Sequence, residues 1–187
     1  GGGSIGSEIS RQVSQLNPKK VIIVDNSEFN LFNIKKEIEQ DYPHIDIEVH
    51  LLSITDLSLI KNIFEKNKPN IIFHSAAYKH VPLLENYENI ISGAKNNILG
   101  TKNIIDCFVN YNCEKILIIS TDKAIKPINN MGLTKRIAEL YSLNKKTNIK
   151  QEISIVRFGN VIGSSGSVMP LFNEQIYNGG PVTVTHP

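Results

Sequence analysis

The sequence has no tryptophan, only two cysteines and only two methionines in 187 residues. Cys107 and Cys113 lie six positions apart with no His or Cys cluster near them. That spacing builds neither a disulfide framework nor a thiolate metal site, so both read as structural thiols of a reducing compartment. Long apolar runs are lacking too, and none approaches the ~20 residues needed to span a bilayer. The first residues do not read as a signal peptide. Neither sign of charge is in excess: 20 Lys and Arg face 18 Asp and Glu, a net of +2. Such balance gives no footprint for nucleic acid or a membrane surface. Linkers, low-complexity tracts and short repeats are also missing. What remains is an ordinary composition, 41% hydrophobic and 20% charged, long enough for one domain with a real core.

A single rhythm runs through the chain. Ile5, Ile9, Val13 and Leu16 recur at helical spacing and predict a helix from about Ser4 to Leu16. Val21–Val24 is a short apolar run, as a strand buried on both faces should be. Ser27 offers a cap for a helix whose core side is Leu31, Ile34 and Ile38. Ile45, Ile47, Val49 and Leu51 alternate with polar residues, a period-2 strand. A helix from Asp56 to about Asn67 follows. The unit then repeats, with strands at Ile71–Phe73, Lys115–Ile119 and Ile153–Phe158. Helices are expected over Glu88–Tyr111, Met131–Asn144 and Val168–Asn178, the last stopped by Gly179-Gly180. Pro181–Thr185 looks strand-like. Alternation of this kind implies an α/β fold, a doubly wound parallel sheet with helices on both faces. Ligands of such sheets bind beyond the carboxyl ends of the strands.

The glycine run Gly1-Gly2-Gly3-Ser4-Ile5-Gly6 opens the first helix. Glycines admit a pyrophosphate to the backbone, and the helix terminus supplies free N–H groups and a positive dipole. Gly3, Ser4, Ile5 and Gly6 are the candidate phosphate contacts. Asp25 ends the next strand, where a ribose-binding carboxylate belongs; it accepts from a 2′-hydroxyl and repels a 2′-phosphate, favouring NAD over NADP. The chain therefore reads as a Rossmann-like NAD-binding domain over 1–187, with a substrate site starting near 159. We expect it to be cut at both ends. The strand that would deliver the chain to the glycine loop and lie centrally in the sheet is not in the sequence, nor is the part that would complete a sugar pocket. Little or no turnover is expected of the 187 residues alone.

Five further segments occur in order: Ala76-Ala77-Tyr78-Lys79-His80-Val81-Pro82, Ser120-Thr121-Asp122-Lys123-Ala124, Met131-Gly132-Leu133-Thr134-Lys135-Arg136, Arg157-Phe158-Gly159-Asn160-Val161 and Gly179-Gly180-Pro181 through Pro187. With these the chain resembles, nearly end to end, the CapD-like polysaccharide biosynthesis family. These are the UDP-N-acetylglucosamine 4,6-dehydratases of the extended short-chain dehydrogenase/reductase superfamily.

That resemblance implies a redox-neutral lyase. Tightly held NAD oxidises C4 of a UDP-sugar, the ketone acidifies C5, water leaves from C6 and hydride returns there. By the same resemblance Thr121 bonds the sugar's 4-oxygen, Lys123 takes the C5 proton and Asp122 protonates the C6 hydroxyl. Lys135 would bind the nicotinamide ribose. Ser53 and Ile54 would flank adenine, while Ala76, Ala77, Tyr78 and Asn97 would line the cofactor. Lys79, His80, Asn160, Ser167, Val168 and Phe172 match substrate positions, and no metal is implied. His44, His50 and His74 read as structural. One departure stands out: Met131 replaces the superfamily's usual tyrosine, and a thioether has no exchangeable proton. Longer, membrane-anchored members resemble this chain in carrying Met there, a form associated with retention at C5. A nucleotide-sugar 4-epimerase or a non-catalytic NAD sensor are the rival readings. An epimerase needs no elimination pair and keeps the tyrosine; a sensor has no use for Asp122, Lys123 and Lys135 together. A cytoplasmic catalytic segment and a homo-oligomeric parent are expected, with upstream anchoring helices left open.

Overall fold

The computed structural model describes residues 1–147, 149–162 and 168–184. Helix α1 (Ser4–Gln15) leads to β1 (Lys20–Asp25), α2 (Glu28–Asp41), β2 (Asp46–Leu51) and α3 (Leu57–Asn67). Then come β3 (Ile71–His74), the short α4 (Val81–Leu84), α5 (Tyr87–Ala94) and α6 (Thr101–Asn110). The chain continues through β4 (Lys115–Thr121), α7 (Asn130–Lys146), β5 (Glu152–Phe158) and α8 (Val168–Tyr177).

Local chemistry sets these boundaries. The Ser27 hydroxyl accepts from Asn30 N–H at 3.3 Å and starts α2. Asp56 accepts from the N–H groups of Ser58 and Leu59, both at 3.1 Å, and starts α3. Such caps satisfy helix N–H groups that have no partner within the helix. Lys68 ends α3 at φ 46°, and Pro69 cannot extend it. Gly179 and Gly180 adopt φ 89° and 71° after α8, which glycine allows at no steric cost.

All strand pairs are parallel. β1 pairs with β2, Val21 opposite Ile47, and β4 lies between β3 and β5, with Ile72 opposite Ile116 and Ile116 opposite Ile153. The pairs form two groups, β1–β2 and β3–β4–β5. Among the described residues, one edge of β1 and one of β3 has no strand partner. Two cores follow the same division. Val21, Ile23, Leu31, Ile34 and Ile38 pack β1 against α2. Ile60, Phe64, Ile105, Phe108, Ile116 and Ile118 pack α3 and α6 against the other sheet. Each such side chain contributes ~1.5–3 kcal/mol when fully buried.

Three expectations need correction. The run Val21–Val24 is not buried throughout: Val21 and Ile23 are buried, while Ile22 and Val24 on the alternate face are only partly so. The helix expected over Glu88–Tyr111 is not uniform; its middle, Lys95–Gly100, is a π-helical segment between α5 and α6. Pro181–Val184 is not a strand. It folds back on α8, where Thr183 N–H donates to Gln175 Oε1 at 3.0 Å and Gln175 Nε2 to the Thr183 hydroxyl.

Candidate active site

The glycine loop lies against the carboxyl end of β1. Gly2 N–H donates to Asp25 Oδ2 at 2.8 Å. Asp25 Oδ1 accepts from Ser27 N–H at 2.9 Å. A carboxylate has about four acceptor positions, so Asp25 clasps the loop and keeps capacity for a ribose hydroxyl. Packing here is as close as glycine permits. A Cβ at Gly6 would lie 2.3 Å from Gly1 O, and one at Gly2 would lie 2.8 Å from the Asn30 backbone. A Cβ at Gly3 would meet nothing within 4 Å; Gly3 faces open space at the start of α1, which no side chain caps. The cavity beyond is about 890 Å³ and reaches past Asp25, Ser53 and Ile54 to Ala76, Ala77 and Tyr78. That volume and this helix terminus suit a dinucleotide.

Asn97 stands behind the wall rather than on it. It is fully buried, and its side-chain oxygen accepts from Tyr78 N–H at 2.8 Å. Its amide nitrogen donates to Tyr78 O at 2.9 Å and to the Thr134 hydroxyl at 3.0 Å. The π-helical segment aims the side chain across to Tyr78 and α7, a common use of π geometry at functional sites. The Thr101 hydroxyl spends its one proton on Asn97 O at 2.7 Å. It therefore accepts from His74 Nε2 at 2.8 Å, which fixes that ring as the Nε2–H tautomer. Burial, reinforced by the Lys135 charge, pushes the His74 pKa down to about 3.

A second cavity of about 210 Å³ shares Ile5, Ser75, Ala77, Tyr78, Lys79 and His80 with the first. Its far wall carries Thr121, Lys123, Met131, Lys135, Gly159 and Asn160. A 3₁₀ turn, Asp122–Ala124, follows β4. The Thr121 hydroxyl donates to Asp122 Oδ1 at 2.9 Å, and Lys123 Nζ donates to the same oxygen at 3.2 Å. Those two bonds, Thr121's first, hold the Asp122 carboxyl below its ordinary value. The turn is locked from behind: Asn129 accepts from Gly132 N–H at 2.8 Å, and a Cβ on Gly132 would lie 2.3 Å from Lys123 O. Lys135 Nζ donates to Ile119 O at 2.8 Å. Burial lowers its pKa to about 8, with the Glu139 charge pulling the other way.

Most sequence-derived site residues thus converge on one continuous cleft. Asp122 sits at its rim, half exposed. Ser167 lies outside the described residues, as does the Val168 side chain, although Val168 begins α8. Phe172 is half-buried on α8 and belongs to neither cavity wall. Sequence reasoning missed Ser75, which lines both cavities; its place directly after β3 was the available signal. It also missed Glu139, whose role needs tertiary contacts to see. Among the described residues, no group of three His, Cys, Asp or Glu side chains is placed to hold a metal.

The family model described as "Polysaccharide biosynthesis protein" matches residues 1–187. The chain is 47% identical over 189 residues to the capsular polysaccharide biosynthesis protein CapD of Staphylococcus aureus, covering 100% of this chain and 31% of CapD. It is 36% identical over 175 residues to a UDP-glucose 4-epimerase of Rickettsia rickettsii, covering 90% of this chain and 50% of that enzyme. The X-ray structure of Pen from Bacillus thuringiensis superposes with a TM-score of 0.86 at 34% identity, over 99% of this chain and 56% of Pen. A dTDP-glucose 4,6-dehydratase, the DesIV double mutant from Streptomyces venezuelae with NAD and DAU bound, shares the fold. Its TM-score is 0.81 at 20% identity, over 97% of this chain and 62% of DesIV. The chain spans about a third to a half of the length of these sequence relatives. A match along its full length, on a fold whose loops meet in one cleft, places this chain in the polysaccharide biosynthesis protein family.

Proposed function

We propose that the protein carrying this chain is an NAD-dependent nucleotide-sugar 4,6-dehydratase that converts UDP-N-acetylglucosamine to a UDP 4-keto-6-deoxy sugar. The observation that carries this reading is the Thr121–Asp122–Lys123 hydrogen-bonded turn, whose Thr121 and Lys123 line the smaller cavity together with Lys135.

NAD, when bound, supplies the hydride acceptor and later the donor. Gly3 and the first turn of α1, Ser4–Gly6, would hold the pyrophosphate, Asp25 a ribose hydroxyl, and Ser53 and Ile54 the adenine. Ala76, Ala77 and Tyr78 wall the reactive end, with Asn97 setting the Tyr78 backbone, and Lys135 binds the second ribose. Lys79, His80 and Asn160 face the sugar nucleotide, with Ser167, Val168 and Phe172 as its continuation.

The proton inventory follows from the turn. Met131 is buried at the wall and has no proton to exchange. Thr121, bonded to the sugar's 4-hydroxyl, relays that proton to Asp122, the carboxylate its own hydroxyl already reaches. Asp122 then holds the proton that the C6 oxygen needs to leave as water. Lys123 is the base for the C5 proton, acidified by the C4 ketone, and it returns a proton to C5 as hydride adds at C6.

The epimerase reading is favoured by the 36% identity to the Rickettsia enzyme; Met131 and the Asp122–Lys123 pair weigh against it. We also propose a cytoplasmic catalytic segment. Among the described residues no helix is long and apolar enough to cross a membrane. A homo-oligomer is proposed as well, since Leu133, Ile137 and Leu140 leave an exposed apolar stripe along α7.

The test is incubation of the full-length protein with UDP-N-acetylglucosamine in heavy water, followed by mass spectrometry of the sugar nucleotide. Loss of one water with uptake of one deuterium supports dehydration through a C5 carbanion. A 4-epimer without deuterium would establish the epimerase instead. Cofactor binding with no change in any sugar nucleotide would leave the sensor.

A further inference from the structure

We propose that Glu139 is a positioning residue: a buried brace centred on its carboxylate joins the ends of β4 and β5 to α7 and sets the acid–base turn. The inference rests on the elimination reading given above.

Glu139 lies on α7 one turn beyond Lys135 and is 1% exposed. A carboxylate buried that deeply is costly unless its oxygens are fully paired. Each takes two donors. Oε1 accepts from the Ser120 hydroxyl at 2.6 Å and Arg157 Nε at 2.8 Å. Oε2 accepts from Arg157 Nη2 at 2.6 Å and Arg136 Nη1 at 3.2 Å. The two Arg157 bonds form a bidentate fork, which fixes direction as well as distance.

The partners are placed where the reacting segments begin. Ser120 and Arg157 stand opposite each other in the β4–β5 register, and the next pair is Thr121 opposite Phe158. One step further lie the Asp122–Lys123 turn on one strand and Gly159-Asn160 on the other. These segments approach each other: a Cβ on Gly159 would lie 3.4 Å from Asp122 Oδ2. Glu139 touches none of the reacting groups. It holds the two strand ends that present them, at fixed depth against the helix that also carries Lys135.

A carboxylate needed only for stability could be exchanged, together with its arginine, for apolar side chains of similar volume. A positioning carboxylate could not. The experiment therefore compares full-length wild type with Glu139→Gln, the double replacement Glu139→Met/Arg157→Met, and the milder Ser120→Ala. Each is read by melting temperature, by kcat and KM on UDP-N-acetylglucosamine, and by amide hydrogen exchange of the peptide covering 118–126. Glu139→Gln is expected to lower both melting temperature and kcat. The double replacement should regain melting temperature, yet keep kcat at least ~10-fold below wild type with KM changed about twofold or less. Exchange at 121–124 should be faster in both variants, with the β4 core unchanged. Ser120→Ala should show the same pattern in smaller degree, and it decides the matter if the double replacement does not fold. Recovery of kcat in step with melting temperature, or exchange at 121–124 equal to wild type, overturns the proposal. If wild type dehydrates no sugar nucleotide, the elimination reading falls separately, and the exchange measurement alone decides the brace.

Discussion

Replacing Gly132 by alanine adds one methyl group and disturbs the site from behind. The added Cβ would lie 2.3 Å from Lys123 O, 3.1 Å from the Lys123 carbonyl carbon and 3.2 Å from Asn129 Oδ1. Two of these are backbone atoms of the 3₁₀ turn, so no flexible side-chain end can swing aside. A carbon–oxygen contact settles above about 3 Å, so helix and turn must part by on the order of 1 Å. Overpacking of this kind costs ~1–3 kcal/mol, which in a domain of this size lowers the melting temperature by roughly 2–12 °C. The catalytic effect should be larger than the stability effect. The turn carries Asp122 and Lys123, and a displacement of about 1 Å in reacting groups is worth ~100-fold in rate. Thermal melts of the full-length protein and steady-state turnover of UDP-N-acetylglucosamine supply both numbers. A Gly132→Ala protein that melts within about 1 °C of wild type and keeps wild-type kcat would refute the claim that α7 locks the turn.

Gly3→Ala should behave oppositely. Its Cβ meets nothing within 4 Å and the backbone φ of −69° suits alanine, so the melting temperature holds while NAD affinity, read by titration calorimetry, falls ~10-fold or more. Asn97→Ala strips partners from the partly buried N–H and C=O of Tyr78 and from the buried Thr134 hydroxyl. A loss of ~2–4 kcal/mol in urea unfolding is expected, and a loss under about 1 kcal/mol would contradict the bracing role. The His74 pKa is lowered from 6.5 to about 3, so the unfolded chain binds a proton that the folded one refuses. The His74 contribution is constant above pH 6.5 and lowers stability as pH drops from 6.5 toward 3. His74→Gln should flatten that part of the stability–pH curve, measured by denaturant melts. Lys123→Met should abolish deuterium uptake at C5 while leaving NAD binding intact; undiminished uptake would remove Lys123 from the proton-transfer role.

The order of strands and helices was legible in the sequence because the period of the apolar residues and the capping residues are local properties. Ser27, Asp56 and Gly179 mark element ends from their own backbone chemistry. The glycine loop, Asp25 and the Thr121–Lys123 turn were legible too, since a parallel α/β sheet places the residues following its strands at one end. Local pattern did not reveal which apolar faces would be covered: Ile22 and Val24 look like core and are only partly buried, because burial depends on what packs opposite. Nor did it reveal the π-helical segment that turns Asn97 toward Tyr78, 19 positions away, or the Glu139 brace, which joins residues 18 and 19 positions apart. Hydrogen-bond partners that distant have no signature in spacing. The sequence by itself determined the fold class and the residues at its carboxyl edge; only the tertiary structure decided how those residues are held, because a buried polar group acquires its partners when the elements pack.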